Sequence, residues 1–243
     1  MRAPWEDPRI EAGMVRQMAE RRNMLAAGAR HVGWKVGFGS PQAMEAMGTT
    51  APLVGFLTSR TVLADGATVD VSDWTRPVVE FEVAVWIGSP VPPGATPEQA
   101  WEAVSAVGPA IELADIDLPL EAGRVEDILA RDIFHAGVVL GEPGPGGQQP
   151  AAAGLEASVM IDGREHARTD DLQALTGRYD EVVAVVAGTL ASVGEQLRPG
   201  DVIITGSVVT PVPAHQGREF RFRLGDFPEV TLFVEGSTGA PTG

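Results

Sequence analysis

The chain of 243 residues contains no cysteine. That absence excludes disulfides, zinc–thiolate centres and thiol nucleophiles together, and any metal must be held by oxygen or imidazole. Basic residues are scarce, 18 against 33 acidic, for a formal charge of −15. They form no dense run, so neither nucleic acid nor an anionic membrane surface is an expected partner. No stretch approaches the roughly 18 uninterrupted apolar residues of a membrane-spanning helix. The opening residues, MRAPWEDPRIEAG, mix acids and prolines and lack the apolar core of a secretion signal, so a cytoplasmic location is expected.

What is present has the balance of a globular protein, with 44% hydrophobic and 21% charged residues. The expected partner is a small molecule. An acidic one needs a local cation to hold it. The length fits one main domain, with residues 1–30 as an N-terminal helical segment and 31–243 as a single domain.

Along the chain, the spacing of Ile10, Met14 and Met18 predicts a helix from Pro8 to Ala27, followed by a strand over Gly33–Phe38 and a helix from Pro41 to Met47 stopped by Gly48. Short strands and turns are expected from Val54 to Val71, then a long strand from Pro77 to Gly88. Thr96-Pro97-Glu98-Gln99 reads as a capping box that starts a helix running to Val107. Strands are expected at Ala110–Leu113, Phe134–Leu140, Val202–Gly206, Glu219–Leu224 and Val230–Val234, with a helix over Asp180–Val193. The Gly- and Pro-rich Gly141–Gly154 reads as a flexible loop between two halves. Many short strands with three or four helices describe a β-rich mixed α+β fold.

The stretch VVEFEVAVWIG, Val78 to Gly88, has a strand's composition and two carboxylates. Alternation puts Glu80, Glu82, Ala84 and Trp86 on one face. Either that face is solvated, or two adjacent buried anions require a cation. A third acid, Glu112, interrupts the apolar Ala110-Ile111-Leu113-Ala114. Three carboxylates suit a hard cation, Mg²⁺ or Mn²⁺, with positions left for water and substrate. A 2-oxo acid chelates such an ion through its keto and carboxylate oxygens, and the ion then stabilises the enolate left when a proton, carboxyl or acyl group departs. Lys35 is the lone charge in Gly33-Trp34-Lys35-Val36-Gly37-Phe38. It either snorkels to the surface or points inward to balance a substrate carboxylate or move a proton.

In order, these segments resemble the 2-keto-4-pentenoate hydratase and 4-oxalocrotonate decarboxylase branch of the fumarylacetoacetate hydrolase superfamily, from about Val32 to Val234. GWKVGFGS looks like the family's Gly-x-Lys-x-Gly-x-Thr-Ser segment, Glu80-x-Glu82 with Glu112 like its three metal carboxylates, and RPGDVIITGS, Arg198 to Ser207, like its Gly-Asp-x-Ile-x-Thr-Gly strand and loop. The resemblance implies the superfamily's mixed β-roll in a single catalytic domain, assembled as a homo-oligomer. It implies Mg²⁺ or Mn²⁺ at Glu80, Glu82 and Glu112, and Lys35, Thr205 and Ser207 near the substrate.

Two departures stand out. Hydratases of this branch carry an Asp in a Pro-Asp-aromatic-Gly turn, where this chain has Pro52-Leu53-Val54-Gly55; the decarboxylases have an apolar residue there. A segment that commonly reads Asp-x-x-Ala-Asp-Asn-Ala-Ser is here Asp127-Ile128-Leu129-Ala130-Arg131-Asp132-Ile133-Phe134-His135. Arg131 either clamps a second substrate carboxylate or is a surface partner of Asp127 and Asp132. His135 and His215 either line the pocket or are solvated. The implied activity is a metal-dependent lyase that takes an enolisable or unsaturated 2-oxo acid through a metal-bound dienolate, with decarboxylation favoured by Leu53. The alternatives are a 2-oxo-4-pentenoate-type hydratase, an acylpyruvate-type C–C hydrolase or oxaloacetate decarboxylase/tautomerase needing a His–Glu pair, and an inactive accessory protein of the same fold.

Overall fold

The computed structural model describes residues 6–144 and 154–236. Its strands fall into two sheets. The larger runs β2 (Leu53–Thr58), β1 (His31–Gly37), β10 (Val202–Ser207), β5 (Pro77–Ile87), β6 (Val104–Asp115), β7 (His135–Leu140), β3 (Val62–Leu63), with β11 (Val212–Pro213) also on β5. The smaller runs β4 (Ala67–Asp70), β13 (Val230–Glu235), β12 (Glu219–Leu224), β8 (Ala157–Ile161), β9 (Arg164–Thr169).

The two edge strands of the larger sheet, β2 and β3, are consecutive in the chain and joined only through Ser59, Arg60 and Thr61. Such a short link requires the sheet to curl until its edges reach the same turn, where the Thr61 carbonyl accepts from Val138 N at 2.8 Å. The concave face is built for that curvature from small or aliphatic residues: Ala84, Ala110, Leu57, Val138, Val202 and Ile204 pack together inside it. The convex face carries the larger side chains and meets the second sheet, where the rings of Phe81 and Phe222 lie 5.7 Å apart. The architecture is the β-rich mixed α+β roll expected from the sequence.

Helices brace the roll from outside. In α1 (Pro8–Ala26), capped by Asp7, the buried Gln17 donates to the carbonyls of Val54 at 3.2 Å and Leu129 at 2.9 Å, tying the helix to β2 and to α4 (Val125–Ala130). α2 (Pro41–Met47) begins at a Ser40 cap and ends on the left-handed Gly48, as its sequence predicts. The capping box at Thr96 forms, but α3 stops at Glu102 instead of running to Val107. From Val104 the chain is strand β6, paired with β5 along its length. Val104 and Val107 favour a strand, and β5 offers backbone groups that only an extended partner can satisfy, so tertiary pairing ends the helix. α5 (Tyr179–Ser192) lies where its apolar spacing predicts. The α4 helix and the β8–β9 hairpin are not anticipated from the sequence. Most of the Gly141–Gly154 loop lies outside the described residues. Among the described residues no helix is long and apolar enough to cross a membrane.

Candidate active site

Strand pairing gathers the acids. On β5 and β6 Glu80 is directly opposite Glu112, and Glu82 is opposite Ala110. All three carboxylates share the concave face, and one oxygen from each lies within 4.8 Å of the others. Glu82 and Glu112 are buried; Glu80 is half-buried and faces a cavity of about 320 Å³.

Lys35 comes from β1, two strands away across β10, and is only 2% exposed. It does not snorkel. Its Nζ donates to Glu112 Oε1 at 2.5 Å and to the Ile133 carbonyl at 3.2 Å. Its inward course passes over Gly55, where a Cβ would stand 2.7 Å from Lys35 Cγ and 2.7 Å from Asp132 Oδ1, so only glycine fits. The Ile133 carbonyl is presented by an unusual turn: Asp132, Ile133 and Phe134 all have positive φ, at 52°, 53° and 64°. A β-branched residue in that region is strained, and its neighbours hold it there. Asp132 accepts from Phe56 N at 2.7 Å and lies beside Lys35.

Glu112 is the hub. His135 Nδ1 approaches the same Oε1 at 2.6 Å, and its Nε2 is 2.9 Å from Thr61 Oγ1 in the turn that joins the sheet edges. On the other side, Glu82 Oε2 accepts from Gly206 N at 2.6 Å. A β-bulge between Ile204 and Ser207 aims that N–H, and Gly206 tolerates the φ of 98° that the bulge requires. The second oxygen, Glu82 Oε1, is buried without a hydrogen-bond partner.

The electrostatics follow from crowding. Burial opposes ionisation of Glu112, but Lys35 and His135 outweigh it and hold its pKa down at about 2. Burial, together with the Glu112 charge, raises Glu80 to about 7 and Glu82 well above the usual carboxylate range. Burial also raises Asp132 well above its ordinary value. For Lys35 burial disfavours the ammonium, yet Glu112, Glu80 and Glu82 together push its pKa up. Burial lowers the His135 imidazole. Three clustered carboxylates, two of them reluctant to ionise and one with an orphaned buried oxygen, fit a hard divalent cation that supplies the missing positive charge.

The matching family model is the fumarylacetoacetate (FAA) hydrolase C-terminal family, over residues 26–238. The chain belongs to that family. Within it, a 4-oxalocrotonate decarboxylase from a Pseudomonas species is 28% identical over 234 residues, 93% of this chain and 89% of the relative. A 2-hydroxyhexa-2,4-dienoate hydratase from Comamonas testosteroni is 29% identical over 200 residues, 80% of this chain and 75% of the relative. In shape the chain is similar to 4-oxalocrotonate decarboxylase from Pseudomonas putida G7, solved with magnesium and adipate: TM-score 0.78 at 24% identity, over 90% of this chain and 83% of that one.

Of the residues that the family resemblance points to, Lys35, Glu80, Glu112 and Ser207 line the cavity. Glu82 sits behind it, beside Gly206. Thr205 is buried and donates to the Val83 carbonyl at 2.9 Å, joining β10 to β5 instead of facing the cavity. His135 supports Glu112 from outside the cavity wall. Arg131 is 43% exposed and pairs with Asp117 at 2.9 Å. His215 is exposed on a separate turn beside Gln216 and Arg218. Leu53 is buried in the core and is not among the residues that line the cavity. Sequence reading misses the Ile133 carbonyl, Asp132, Thr61 and the Gly206 N–H. Asp132 and Ile133 lie in the 131–135 segment that departs from the family pattern and Gly206 in the RPGDVIITGS motif, but neither signal says which atoms are delivered.

Proposed function

We propose that this chain is a divalent-metal-dependent lyase acting on an enolisable or unsaturated 2-oxo acid, with Mg²⁺ or Mn²⁺ held by Glu80, Glu82 and Glu112. The observation that carries it is the convergence of these carboxylates with Lys35 at the floor of one cavity. The magnesium in the structural relative, and the decarboxylases and hydratases among the sequence relatives, support the same reading. A bound cation there supplies Lewis-acid stabilisation of negative charge on the 2-oxo oxygen. The chain's own residues do the rest. Lys35 keeps Glu112 ionised, and of its three N–H donors two are engaged, leaving one for a substrate carboxylate or for delivering a proton. Gly206 and His135 fix the orientation of Glu82 and Glu112.

Decarboxylation is favoured over hydration. Breaking a bond to a carboxylate needs an electron sink and no base, whereas adding water needs a group that moves its proton. Among the described residues lining the cavity, the titratable ones are Lys35, Glu80 and Glu112. Glu80 and Glu112 serve the metal, and Lys35, kept protonated by the acids around it, can give a proton to an enolate but cannot take one from water. The hydrolase alternative needs a His–Glu pair that activates water; His135 and Glu112 do form such a pair at 2.6 Å, but the second ring nitrogen of His135 is engaged with Thr61, leaving none to take a proton from water. A homo-oligomer is the assembly we expect from the family resemblance, and light scattering of the purified protein tests it. The central test is turnover of 2-oxo-3-hexenedioate and 2-hydroxypenta-2,4-dienoate with Mg²⁺, with and without chelator. Turnover that survives complete metal removal rules the mechanism out.

A further inference from the structure

The cavity has two chemically different ends. Its floor is Lys35, Glu80 and Glu112, with Lys35 and Glu112 almost fully buried. Its outer wall is largely apolar and carries no cation. Ile116 and Leu120 follow Glu112 as the chain leaves β6, and Leu120 is 44% exposed at the mouth. Phe134, Leu175 and Val209 continue that wall, and the hydroxyl-bearing Ser40, Thr176 and Thr210 also line the cavity. Among the described residues lining the cavity, Lys35 is the only basic one, and it is engaged at the floor. The arginines on nearby segments are engaged elsewhere and do not line the cavity: Arg131 by Asp117, Arg124 by Asp127 and Glu121, Arg178 by Asp180 and Glu181, and Arg76 by the Leu118 carbonyl at 3.2 Å. A site that grips a dicarboxylate at both ends places a guanidinium fork or an ammonium at the far end.

We propose that the outer half of this cavity holds the departing carboxylate of the substrate without a cationic partner, in largely apolar surroundings, selecting a group that leaves as neutral CO₂. The proposal rests on the decarboxylase reading above. In the step concerned, the bond from the chain carbon to the far carboxylate breaks, and its electron pair moves through the conjugated system to the 2-oxo oxygen. CO₂ departs uncharged. The enolate left behind takes up one proton, delivered by Lys35 and restored from solvent, so charge and atoms balance. A cation on the outer wall would bind the carboxylate and not the CO₂ it becomes, stabilising the ground state more than the transition state. Largely apolar surroundings without a cation have the opposite preference, because a carboxylate with no counter-charge is costly to bury and CO₂ is not.

The test has two arms. In the wild-type protein loaded with Mg²⁺, calorimetry compares 2-oxohexanoate, which has an apolar tail, with 2-oxoadipate, which carries a second carboxylate. We expect the apolar-tailed acid to bind about tenfold tighter; tighter binding of 2-oxoadipate overturns the proposal. Second, Leu120→Arg places a cation at the mouth. We expect about tenfold tighter binding of 2-oxoadipate and a lower KM for 2-oxo-3-hexenedioate, with kcat falling by at least the same factor. Tighter binding with kcat kept or raised, or no change in either, overturns it. If the wild type binds neither acid and does not consume the dioate, the decarboxylase reading itself has failed. If it consumes the dioate yet prefers 2-oxoadipate, only the present proposal has.

Discussion

Glu80 and Glu112 stand directly opposite each other on neighbouring antiparallel strands, a cross-strand pairing of two like charges inside a curled sheet. Such a pair destabilises a sheet unless positive charge is supplied. Lys35 supplies one unit through Glu112, and the position is left short of at least one more. The fold therefore carries a local instability that a divalent cation bound by these carboxylates, as proposed, would relieve.

The three carboxylates differ in what else they hold. Glu82→Gln keeps the acceptor for Gly206 N and removes a charge whose ionisation the site resists. It is expected to abolish Mg²⁺ binding by calorimetry while leaving the melting temperature of the metal-free protein unchanged or slightly raised. Glu112→Gln instead removes the buried charge partner of Lys35 and is expected to cost about 3 kcal/mol, with a visibly lower melting temperature in the same experiment.

Metal binding should strengthen with pH. The Glu80 pKa is raised in the folded, metal-free protein, from the ordinary 4.5 to about 7, and burial also raises Glu82 well above the ordinary value. A raised carboxyl pKa gives stability that is complete below the unfolded value and is lost as pH climbs through the folded one, so the metal-free protein weakens from about pH 4.5 to 7 and beyond. Added Mg²⁺ competes with those protons. The rise in melting temperature on adding Mg²⁺ is thus expected to grow between pH 5 and pH 8, and calorimetry in buffers of different ionisation enthalpy should report proton release. A metal effect that is flat with pH contradicts this.

His135 acts through Glu112. Outer partners of metal ligands typically contribute about 10- to 100-fold in affinity, so His135→Ala is expected to weaken Mg²⁺ binding by that order. His135→Asn, whose amide can still donate to Glu112, should recover part of the loss. Equal losses in the two variants would mean the imidazole does something other than orient the carboxylate.

Arg131 forms an exposed pair with Asp117, and such pairs contribute about 0–1 kcal/mol. Arg131→Ala is therefore expected to leave stability and the KM for the dioate within about twofold of wild type. A tenfold rise in KM would restore the substrate clamp that the sequence alone allowed.

Much of this site was legible before any folding. Period-two alternation put Glu80 and Glu82 on one face, the isolated Lys35 among apolar residues stood out without showing which way it points, and ordered motifs resembled the family's; these are local properties of strands and of residue chemistry. The sequence also carried the cap at Thr96, yet not the end of its helix, because β5 decides where pairing begins. Distances between strands far apart in the chain are likewise absent from local pattern. Only the tertiary structure set Glu112 against Glu80 and brought Lys35 across two strands to Glu112. It also turned Ile133 into a left-handed conformation that delivers its carbonyl, and drew Arg131 and His215 away from the cavity while leaving His135 as a support. Residue types determined which chemistry this chain has available; sheet curvature and register, which depend on the whole fold's packing, decided which of those residues meet.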